Sequence, residues 1–207
     1  MYREAMTTNE PVPSIRLDAQ SLRGLAHPLR VRLLGLLRMD GPATASGLAA
    51  VVGESSGVTS YHLRQLAAYG FVVEDDAPHA SKKERWWKAA HRTTVLETLP
   101  DADPGTTMLV DEYFRSIALA YSDRILRFAD GLATTRDELG GAWGAVADLS
   151  DWMLELTAEE AEEVGRRLHA VVDDYRMTDP ARPRAAGTER VVVQLQVMPT
   201  LTRGATT

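Results

Sequence analysis

The stretch that decides the fold of this chain runs from Gly41 to Ala90 and reads GPATASGLAAVVGESSGVTSYHLRQLAAYGFVVEDDAPHASKKERWWKAA. Thr44 and Gly53 mark the two ends of a short predicted helix, because threonine is a good N-cap and glycine readily adopts the left-handed conformation found after a helix. A second helix is predicted to begin at Ser55 or Ser56, since either residue can serve as its N-cap. The stretch therefore opens with two short helices separated by a turn.

Two short strands are predicted after the second helix. Gly70 ends that helix, and the apolar run from Phe71 to Glu74 is typical of a strand. The run from Glu84 to Lys88 predicts the returning strand, with a polar loop from Ala77 to Lys83 between the two. Helix, turn, helix and hairpin, in this order, predict a winged helix-turn-helix.

The second helix has one largely apolar and one polar face. Thr59, Leu63 and Leu66 lie at i, i+4 and i+7, which places them on one face of an α-helix. The other face carries side chains that can donate hydrogen bonds to phosphates or to base edges, namely Ser60, Tyr61, Arg64 and Gln65. This face predicts contact with nucleic acid.

Three segments at matching spacing resemble ArsR-type transcriptional regulators, in a larger branch without cysteine and with a C-terminal extension. Residues 60–66 and 70–72 (SYHLRQL and GFV) are similar to that family's S-x-H-L-x-x-L…G-L-V signature. Residues 25–34 (LAHPLRVRLL) resemble its L-x-x-P-x-R-L-x-I-L opening, and residues 84–89 (ERWWKA) resemble the second wing strand of that branch. The similarity covers residues 18–93. It implies a dimeric DNA-binding regulator, for which repression is the family's usual outcome.

The resemblance and the polar face together define the expected contacts with double-stranded DNA. Ser60, Tyr61 and Arg64 are expected nearest the bases in the major groove, while the loop lysines contact phosphates or, alternatively, are only solvated. Two-fold symmetry then requires a palindromic operator. His62 is either a half-buried histidine bonded to the backbone or a DNA-reading one. The full set of expected contacts is Ser56, Ser60, Tyr61, Arg64, Gln65, Lys82, Lys83 and Arg85.

Composition limits the possible partners. The chain has 207 residues, no cysteine and a net charge of −6. Residues 1–100 carry 12 Lys and Arg against 10 Asp and Glu, whereas residues 101–207 carry 11 against 19, so only the first half is suited to approach DNA. No apolar run is long enough to span a membrane, and the N-terminus lacks the apolar segment of a secretory signal. We therefore expect a soluble cytoplasmic protein.

Metal sensing, the best-known task of the ArsR family, is not expected here. Many members bind the metal through cysteines on the helix before the recognition helix, and residues 48–52 (LAAVV) offer no ligand atom there. Among the histidines, only His169 has a carboxylate at helical spacing, Asp173, and a solvated helix face is the simpler interpretation. Phosphate-binding glycine loops and nucleophile elbows are missing from the sequence. We expect no metal, no cofactor and no enzymatic activity.

Two helices are predicted ahead of the deciding stretch. Asp18 is the expected cap of a short first helix, and Pro28 suits the first position of the next. Residues 1–17 are predicted to form a flexible tail. The outer face of the helix after Pro28 carries three arginines, which are either solvated or in contact with phosphates or a second subunit: Arg30, Arg32 and Arg38.

A long helix is predicted from Thr107 to Leu132, after a linker at residues 99–105. Its apolar residues recur in steps of three and four, which is typical of one helix face. Two interpretations stay open, since the stripe is either a seam between two subunits or packs against its own domain. It consists of Val110, Phe114, Ile117, Tyr121, Ile125, Phe128 and Leu132.

The rest of the chain predicts a small strand–helix–strand module. Residues 150–156 alternate between apolar and polar side chains, and residues 190–198 are rich in valine and alternate as well. Between them Thr157 and Glu160 form a capping box that opens a helix. The overall expectation is an α+β fold with a tail at 1–17, a winged helix-turn-helix domain at 18–93, a dimerisation and effector region at 94–199, and a tail at 200–207.

Control by a small molecule is the last expectation. The second half contains aromatic side chains suited to line an apolar pocket, so we expect a small hydrophobic organic effector rather than a metal. The alternatives are a packed dimerisation core in a ligand-independent regulator, or a winged helix that binds proteins without binding DNA. The expected pocket residues are Tyr113, Tyr121, Phe128, Trp143 and Trp152.

Overall fold

The computed structural model describes residues 14–77, 84–96, 102–139, 143, 146–175 and 186–200. These residues form two compact units, the first reaching to Asp130 and the second beginning at Gly131. The boundary falls inside a long helix, whereas the sequence predicted a boundary near residue 93. The first unit therefore includes most of that helix in addition to the winged helix-turn-helix.

The elements of the first unit follow the order expected of a winged helix-turn-helix. In chain order they are β1 (Ser14–Leu17), α1 (Ala19–Leu25), α2 (Pro28–Asp40), β2 (Ala43–Thr44), α3 (Ala45–Val52), α4 (Ser56–Ala68), β3 (Val72–Glu74), β4 (Trp86–Ala89), β5 (Thr93–Leu96) and α5 (Pro104–Leu139), which continues into the second unit. The second unit contains α6 (Ala158–Asp173). The expected α+β class, with a helix-turn-helix domain followed by a long helix, is confirmed.

The two helices of the helix-turn-helix begin and end where their caps predict. Thr44 caps α3, because its hydroxyl oxygen accepts the N–H of Gly47 at 3.1 Å. Gly53 ends α3 in the left-handed conformation, with a φ of 77°. Ser55 caps α4 by accepting the N–H of Val58 at 3.2 Å. Each cap satisfies a backbone donor that the helix itself leaves free.

The start of the first unit differs from the expectation. Asp18 caps α1 as predicted, and its carboxylate accepts the N–H of Ser21 at 2.7 Å. The residues just before it form β1, which pairs in parallel with β5, so the predicted tail does not extend to residue 17. Leu17 is only 4% exposed. Its burial depends on contacts from residues far along the chain, which no local pattern shows. Residues 1–13 lie outside the described residues.

Strand β4 is the centre of a three-stranded antiparallel sheet in the order β2-β4-β3. Strands β3 and β4 are the two expected wing strands, with Val72 opposite Ala89. Trp86 and Trp87 are adjacent in β4 and therefore face opposite sides. Trp87 is 4% exposed and belongs to the core, while Trp86 is half-buried. Residues 78–83, the tip of the wing, lie outside the described residues.

Leucines from the helices build the core of the first unit. The inward positions predicted for α4 are confirmed, since Thr59, Leu63 and Leu66 are each 0% exposed. Gly24 lets α1 approach this core closely, because a Cβ at that position would lie 2.7 Å from both Tyr69 and Phe71. The largest fully buried apolar side chains are Leu22, Leu25, Leu33, Leu37, Leu63, Leu66, Phe71 and Val72.

The α2 arginines make contacts within the chain, which corrects the interpretation that they are only solvated, while contact with phosphates or a second subunit stays a prediction. Arg30 donates to the backbone carbonyl of Arg23 in α1 at 2.8 Å. Arg32 donates to the carbonyl of Val52 in α3 at 3.2 Å, and its Nε lies 3.3 Å from the carboxylate of Asp123 in α5. These two side chains therefore fasten α2 to three neighbouring helices.

Arg38 also joins α2 to other elements of the first unit. Its Nε donates to the carbonyl of His91 at 2.9 Å, and its Nη2 donates to the hydroxyl of Thr94 in β5 at 2.8 Å. Burial lowers the pKa of Arg38 to about 10, so the side chain still carries its charge at neutral pH. The sequence pattern of three outward arginines did not reveal these partners, because each partner comes from another element.

Helix α5 is longer than predicted. It starts three residues earlier because the carboxylate of Asp103 accepts the N–H groups of Gly105 and Thr106, at 2.9 and 3.2 Å, and so caps the helix. It has 36 residues, but none of the helices that the structure describes, α5 included, contains a stretch apolar enough to cross a membrane.

The predicted apolar stripe of α5 divides between two surroundings. Val110 and Ile117 pack against the core of the first unit, next to the buried Tyr113. Phe114 and Ile125, from the same predicted stripe, are 58% and 37% exposed. One side of α5 thus packs against its own unit, and the neighbouring side leaves apolar residues in contact with solvent.

Helix α6 begins with the predicted capping box. Thr157 accepts the N–H of Glu160 at 3.2 Å, and the Glu160 carboxylate accepts the N–H of Thr157 at 2.8 Å. The flanking segments 150–156 and 190–198, predicted as strands, are not paired as strands within the described residues. A strand needs a hydrogen-bonded neighbour, and an alternating sequence cannot supply one by itself.

Candidate nucleic-acid interface

Helix α4 presents one continuous exposed stripe, formed by Gly57, Tyr61, Arg64 and Ala68, which we call the α4 stripe. These residues recur in steps of four, three and four, so they lie on one line of the helix, opposite its buried side. Tyr61 is 52% exposed. The stripe has small residues at its ends and two side chains able to form hydrogen bonds in its middle. A nucleic-acid groove can therefore approach α4 closely along its whole length.

The other α4 residues expected to contact DNA lie beside this stripe. Ser56 is exposed in the first turn, and Ser60 and Gln65 are half-buried on either flank. All five predicted α4 side chains are thus accessible from the outer side of the helix. Their contact with DNA stays a prediction.

A cleft of about 290 Å³ lies beside the α4 stripe. The start of α3, the middle of α4 and the beginning of β4 form its walls. Free N–H groups at the start of a helix favour an anion, and two arginines add positive charge. The cleft is therefore suited to a phosphate group, although one carboxylate also faces it. The lining residues are Thr44, Ala45, Ser46, Ser60, Arg64, Glu84, Arg85 and Trp87.

Arg85 stands at this cleft and has two neighbours in the chain. Its Nε lies 3.2 Å from the carboxylate of Glu74, and its guanidinium lies 5.6 Å from the centroid of the Trp87 ring. The Arg85 side chain is 57% exposed, and such an ion pair is weak enough to be exchanged for a phosphate contact. The two predicted wing lysines, Lys82 and Lys83, lie outside the described residues.

Thr44 and Ser46 belong to this surface although the sequence did not single them out as DNA contacts. Their position depends on the pairing of β2 with β4, in which Ala43 stands opposite Trp87. A local signal did exist, because Thr44 is the N-cap of the helix before α4 and helix N-termini attract anions. The sequence did not show which residues of other elements would lie near the N-terminus of α3.

His62 faces the interior rather than the α4 stripe. It is 8% exposed, and its ring centroid lies 4.4 Å from that of His27. Burial lowers the pKa of His62, and the positive charges of His27 and Arg30 lower it further. The Nδ1 atom of His62 has no hydrogen-bond partner among the described residues, so the expected backbone bond is not made at this atom. His62 therefore belongs to the buried side of α4 and not to the surface that faces outward.

The residues predicted to bind an effector occupy different surroundings. Tyr113 is 8% exposed and is taken up by the core of the first unit, where burial raises its pKa. Tyr121, Phe128 and Trp143 are half-buried, whereas Trp152 in the second unit is 75% exposed. Tyr113 is therefore committed to packing, and an effector site built on the others stays a prediction.

Within the described part of the chain, no group of three or more His, Asp or Glu side chains is arranged to hold a metal ion. His169 and Asp173, the one pair noted in the sequence, are both exposed on α6.

Comparison with known proteins agrees with this geometry. Residues 25–75 match the family model described as a helix-turn-helix domain, and that range includes α2, α3, α4 and β3. No curated protein matches the chain. The matched range contains the α4 stripe and the N-terminal end of α3, the two features that the structure brings together at the cleft. The chain thus contains a helix-turn-helix domain of the type found in DNA-binding regulators.

Proposed function

We propose that this chain is an ArsR-like transcriptional regulator that binds a palindromic operator as a homodimer and represses transcription. The observation that carries the proposal is the α4 stripe beside a cleft suited to phosphate. Together they provide what a recognition helix needs, namely side chains for base edges and a neighbouring grip on the backbone. The net charge of −6 does not oppose this, because the acidic excess lies in residues 101–207.

Base reading is assigned to the two central residues of the α4 stripe. Arg64 can make paired hydrogen bonds to a guanine in the major groove, and the Tyr61 ring can contact a thymine methyl group. The two residues are three positions apart, about 4.5 Å along a helix axis. Base pairs stack at about 3.4 Å, so Tyr61 and Arg64 would read base pairs one or two steps apart.

Phosphate contacts are assigned to the cleft and the residues around it. Ser56 lies at the start of α4, where it can reach the strand that borders the groove. Thr44, Ser46 and Arg85 line the cleft and can hold a phosphate on the other side of the recognition helix. Gln65 and the wing lysines Lys82 and Lys83 complete the proposed set.

The proposed dimer uses the exposed side of α5. Six residues lie there in steps of four, three, four, three and four, which is the spacing of a seam between two helices. They are Phe114, Ala118, Tyr121, Ile125, Phe128 and Leu132, all exposed or half-buried in the single chain. Two α4 stripes held by such a seam would face successive major grooves of a palindromic site.

Phe114→Glu tests this seam, because it would bury a charge between two apolar helices. Sedimentation should show dissociation of the dimer. Met108→Glu is the matched control, since Met108 is also exposed, at 72%, but lies off the seam. An intact, folded dimer in the Phe114→Glu variant would rule the seam out.

The proposed signal is a small hydrophobic organic molecule. Tyr121, Phe128 and Trp143 support this part, because they are aromatic and only half-buried in the single chain. By linkage, such a molecule changes DNA affinity only if it binds more tightly to one arrangement of the dimer than to another. Apolar metabolites should then raise the unfolding temperature and change tryptophan fluorescence. A response to zinc or nickel and to no organic compound would contradict it.

DNA binding is tested with a duplex selected by the protein from a random library, using fluorescence anisotropy. Arg64→Ala should weaken binding to the selected duplex by about 1–3 kcal/mol and weaken binding to random DNA less. Arg127→Ala, which removes an exposed arginine from α5, is the matched control and should change neither affinity. Unchanged specific binding in the Arg64 variant would remove α4 from the mechanism. Absence of binding at any salt concentration would favour a protein-interaction module instead.

A further inference from the structure

Residues 146–160 of the second unit are exposed without exception. Trp152 is 75% exposed and Met153 is 82% exposed, values far from the buried state that large apolar side chains usually reach. The large apolar residues in this run are Val146, Leu149, Trp152, Met153, Leu154 and Leu156. The described residues leave this segment uncovered.

The C-terminal segment of the same unit is also incomplete. One part is covered, since Leu195 is half-buried and Val197 approaches α6, where a Cβ on Gly165 would lie 3.9 Å from its Cγ2. The side-chain nitrogen of Gln194 is buried but has no hydrogen-bond acceptor among the described residues. The large apolar residues left exposed here are Val191, Val192, Val193, Val197 and Met198.

The amount of exposed apolar surface indicates a stable protein partner. The two segments together expose eleven large apolar side chains. At on the order of 100 Å² for each, they present on the order of 1,000 Å² of apolar surface. This matches the roughly 800 Å² that each partner contributes to a standard interface. A second copy of the chain is always present at the same concentration, and symmetric homodimers are the commonest assemblies.

The charged side chains indicate which of the two segments pair with each other. Pairing residues 150–156 with the same segment of the other copy, antiparallel about Met153, would set Asp151 opposite Glu155, and like charges opposite each other are unfavourable. Residues 191–198 carry no charged side chain at all. Val191, Val193, Leu195 and Val197 stand at alternate positions and form one apolar face, so this segment can pair with residues 150–156 without placing like charges opposite each other.

We propose that in a two-fold dimer residues 150–156 of each copy pair as a strand with residues 190–198 of the other copy. Each exchange covers the exposed apolar side chains and gives both segments the neighbour that a strand requires. The exchange shares with the proposed function only the existence of a dimer, and it does not depend on DNA binding.

The first test uses two matched valines. Val193→Asp places a charge in the exchanged sheet, whereas Val51→Asp makes the same change in α3 of the first unit, at a position with nearly the same exposure, 58% against 59%. The dissociation constant of the full-length dimer, from sedimentation equilibrium, should rise at least about 100-fold for Val193→Asp and stay unchanged for Val51→Asp. An unchanged helix content by circular dichroism shows that the Val193 variant is folded. Equal dimer stability in both variants would overturn the proposal.

The second test identifies the paired segments. Only the introduced cysteines can react with the cross-linker, because the chain has no cysteine of its own. Chains carrying Leu154→Cys and chains carrying Val193→Cys are co-expressed and treated with a short bis-maleimide. Cross-linking between the two kinds of chain is the expected result. Val193→Cys chains that cross-link only to each other would overturn the exchange. A chain with both cysteines that cross-links only within itself would also overturn it. Loss of DNA binding with the expected cross-link intact would count against the proposed function alone.

Discussion

Helices α4 and α6 begin in the same way and end up in different surroundings. Each has a hydroxyl residue as its N-cap, Ser55 for α4 and Thr157 for α6, and each has apolar residues at helical spacing. In α4 the inward residues Thr59, Leu63 and Leu66 are completely buried, whereas α6 buries no residue. Local signals therefore determine that a helix forms, and burial depends on what other elements bring to it.

The contrast between the units has a functional meaning. The first unit has a core and a fastened α2, so it can hold the α4 stripe in a fixed position against DNA. The second unit leaves its apolar residues open, which suits a region that becomes complete only in an assembly. The stability of the second unit should therefore depend more strongly on protein concentration than the stability of the first unit.

The largest expected effect comes from removing a buried leucine. Leu63→Ala in α4 should lower the free energy of unfolding by about 2–5 kcal/mol, because it leaves a cavity at a position that is 0% exposed. Leu168→Ala in α6, at a position that is 39% exposed, should cost less than about 1 kcal/mol. Urea unfolding at low protein concentration measures both. Equal losses would mean that α6 is covered in solution to the same extent as α4.

Glycine substitutions should separate a crowded from an open helix position. Gly24→Ala should destabilise the protein by about 1–3 kcal/mol, since its Cβ would meet Tyr69 and Phe71 at 2.7 Å. Gly131→Ala in α5 has nothing within 4 Å of the new Cβ, so it should stabilise the helix by about 0.5–1 kcal/mol. Thermal unfolding of both variants decides the matter. An unchanged unfolding temperature for Gly24→Ala would show that α1 can move away from Tyr69 and Phe71.

Removing the N-caps should cost about 1 kcal/mol at either helix, but in different ways. Ser55→Ala should lower the global stability of the first unit, because α4 is part of its core. Thr157→Ala should increase hydrogen exchange in the first turns of α6 and leave the first unit unchanged. Exchange measured residue by residue distinguishes the two results. Global destabilisation by Thr157→Ala would show that the two units unfold together.

The smallest expected effect is a dependence of stability on pH through the buried pair His27 and His62, since burial lowers the pKa of both. The pKa of His62 is lowered from its usual 6.5, mainly by burial, so the unfolded chain takes up a proton more readily than the folded one. Stability is then complete above pH 6.5 and decreases as the pH falls below that value. His62→Gln should reduce this decrease. Identical pH profiles for His62→Gln and the unchanged protein would show that His62 titrates alike in both states.

Most of the helix-turn-helix was predictable because its signals are short-range. Thr44, Gly53 and Ser55 act within four residues of themselves, so the ends of α3 and α4 follow from local sequence. The α4 contacts expected from spacing are all accessible on the outer side of that helix. Thr44 and Ser46 were missed as contacts because the cleft forms only when β2 pairs with β4.

The sequence by itself determined the order of the elements, the caps that delimit the helices and the outer residues of α4, all of which depend on neighbours a few residues away. Only the tertiary structure decided that Ser14–Leu17 forms a strand against β5 and that the α2 arginines bind inside the chain. It also decided that residues 150–156 are not paired as a strand with any of the described residues. The physical reason is that burial and strand pairing are properties of two segments at once, and periodicity describes only one of them.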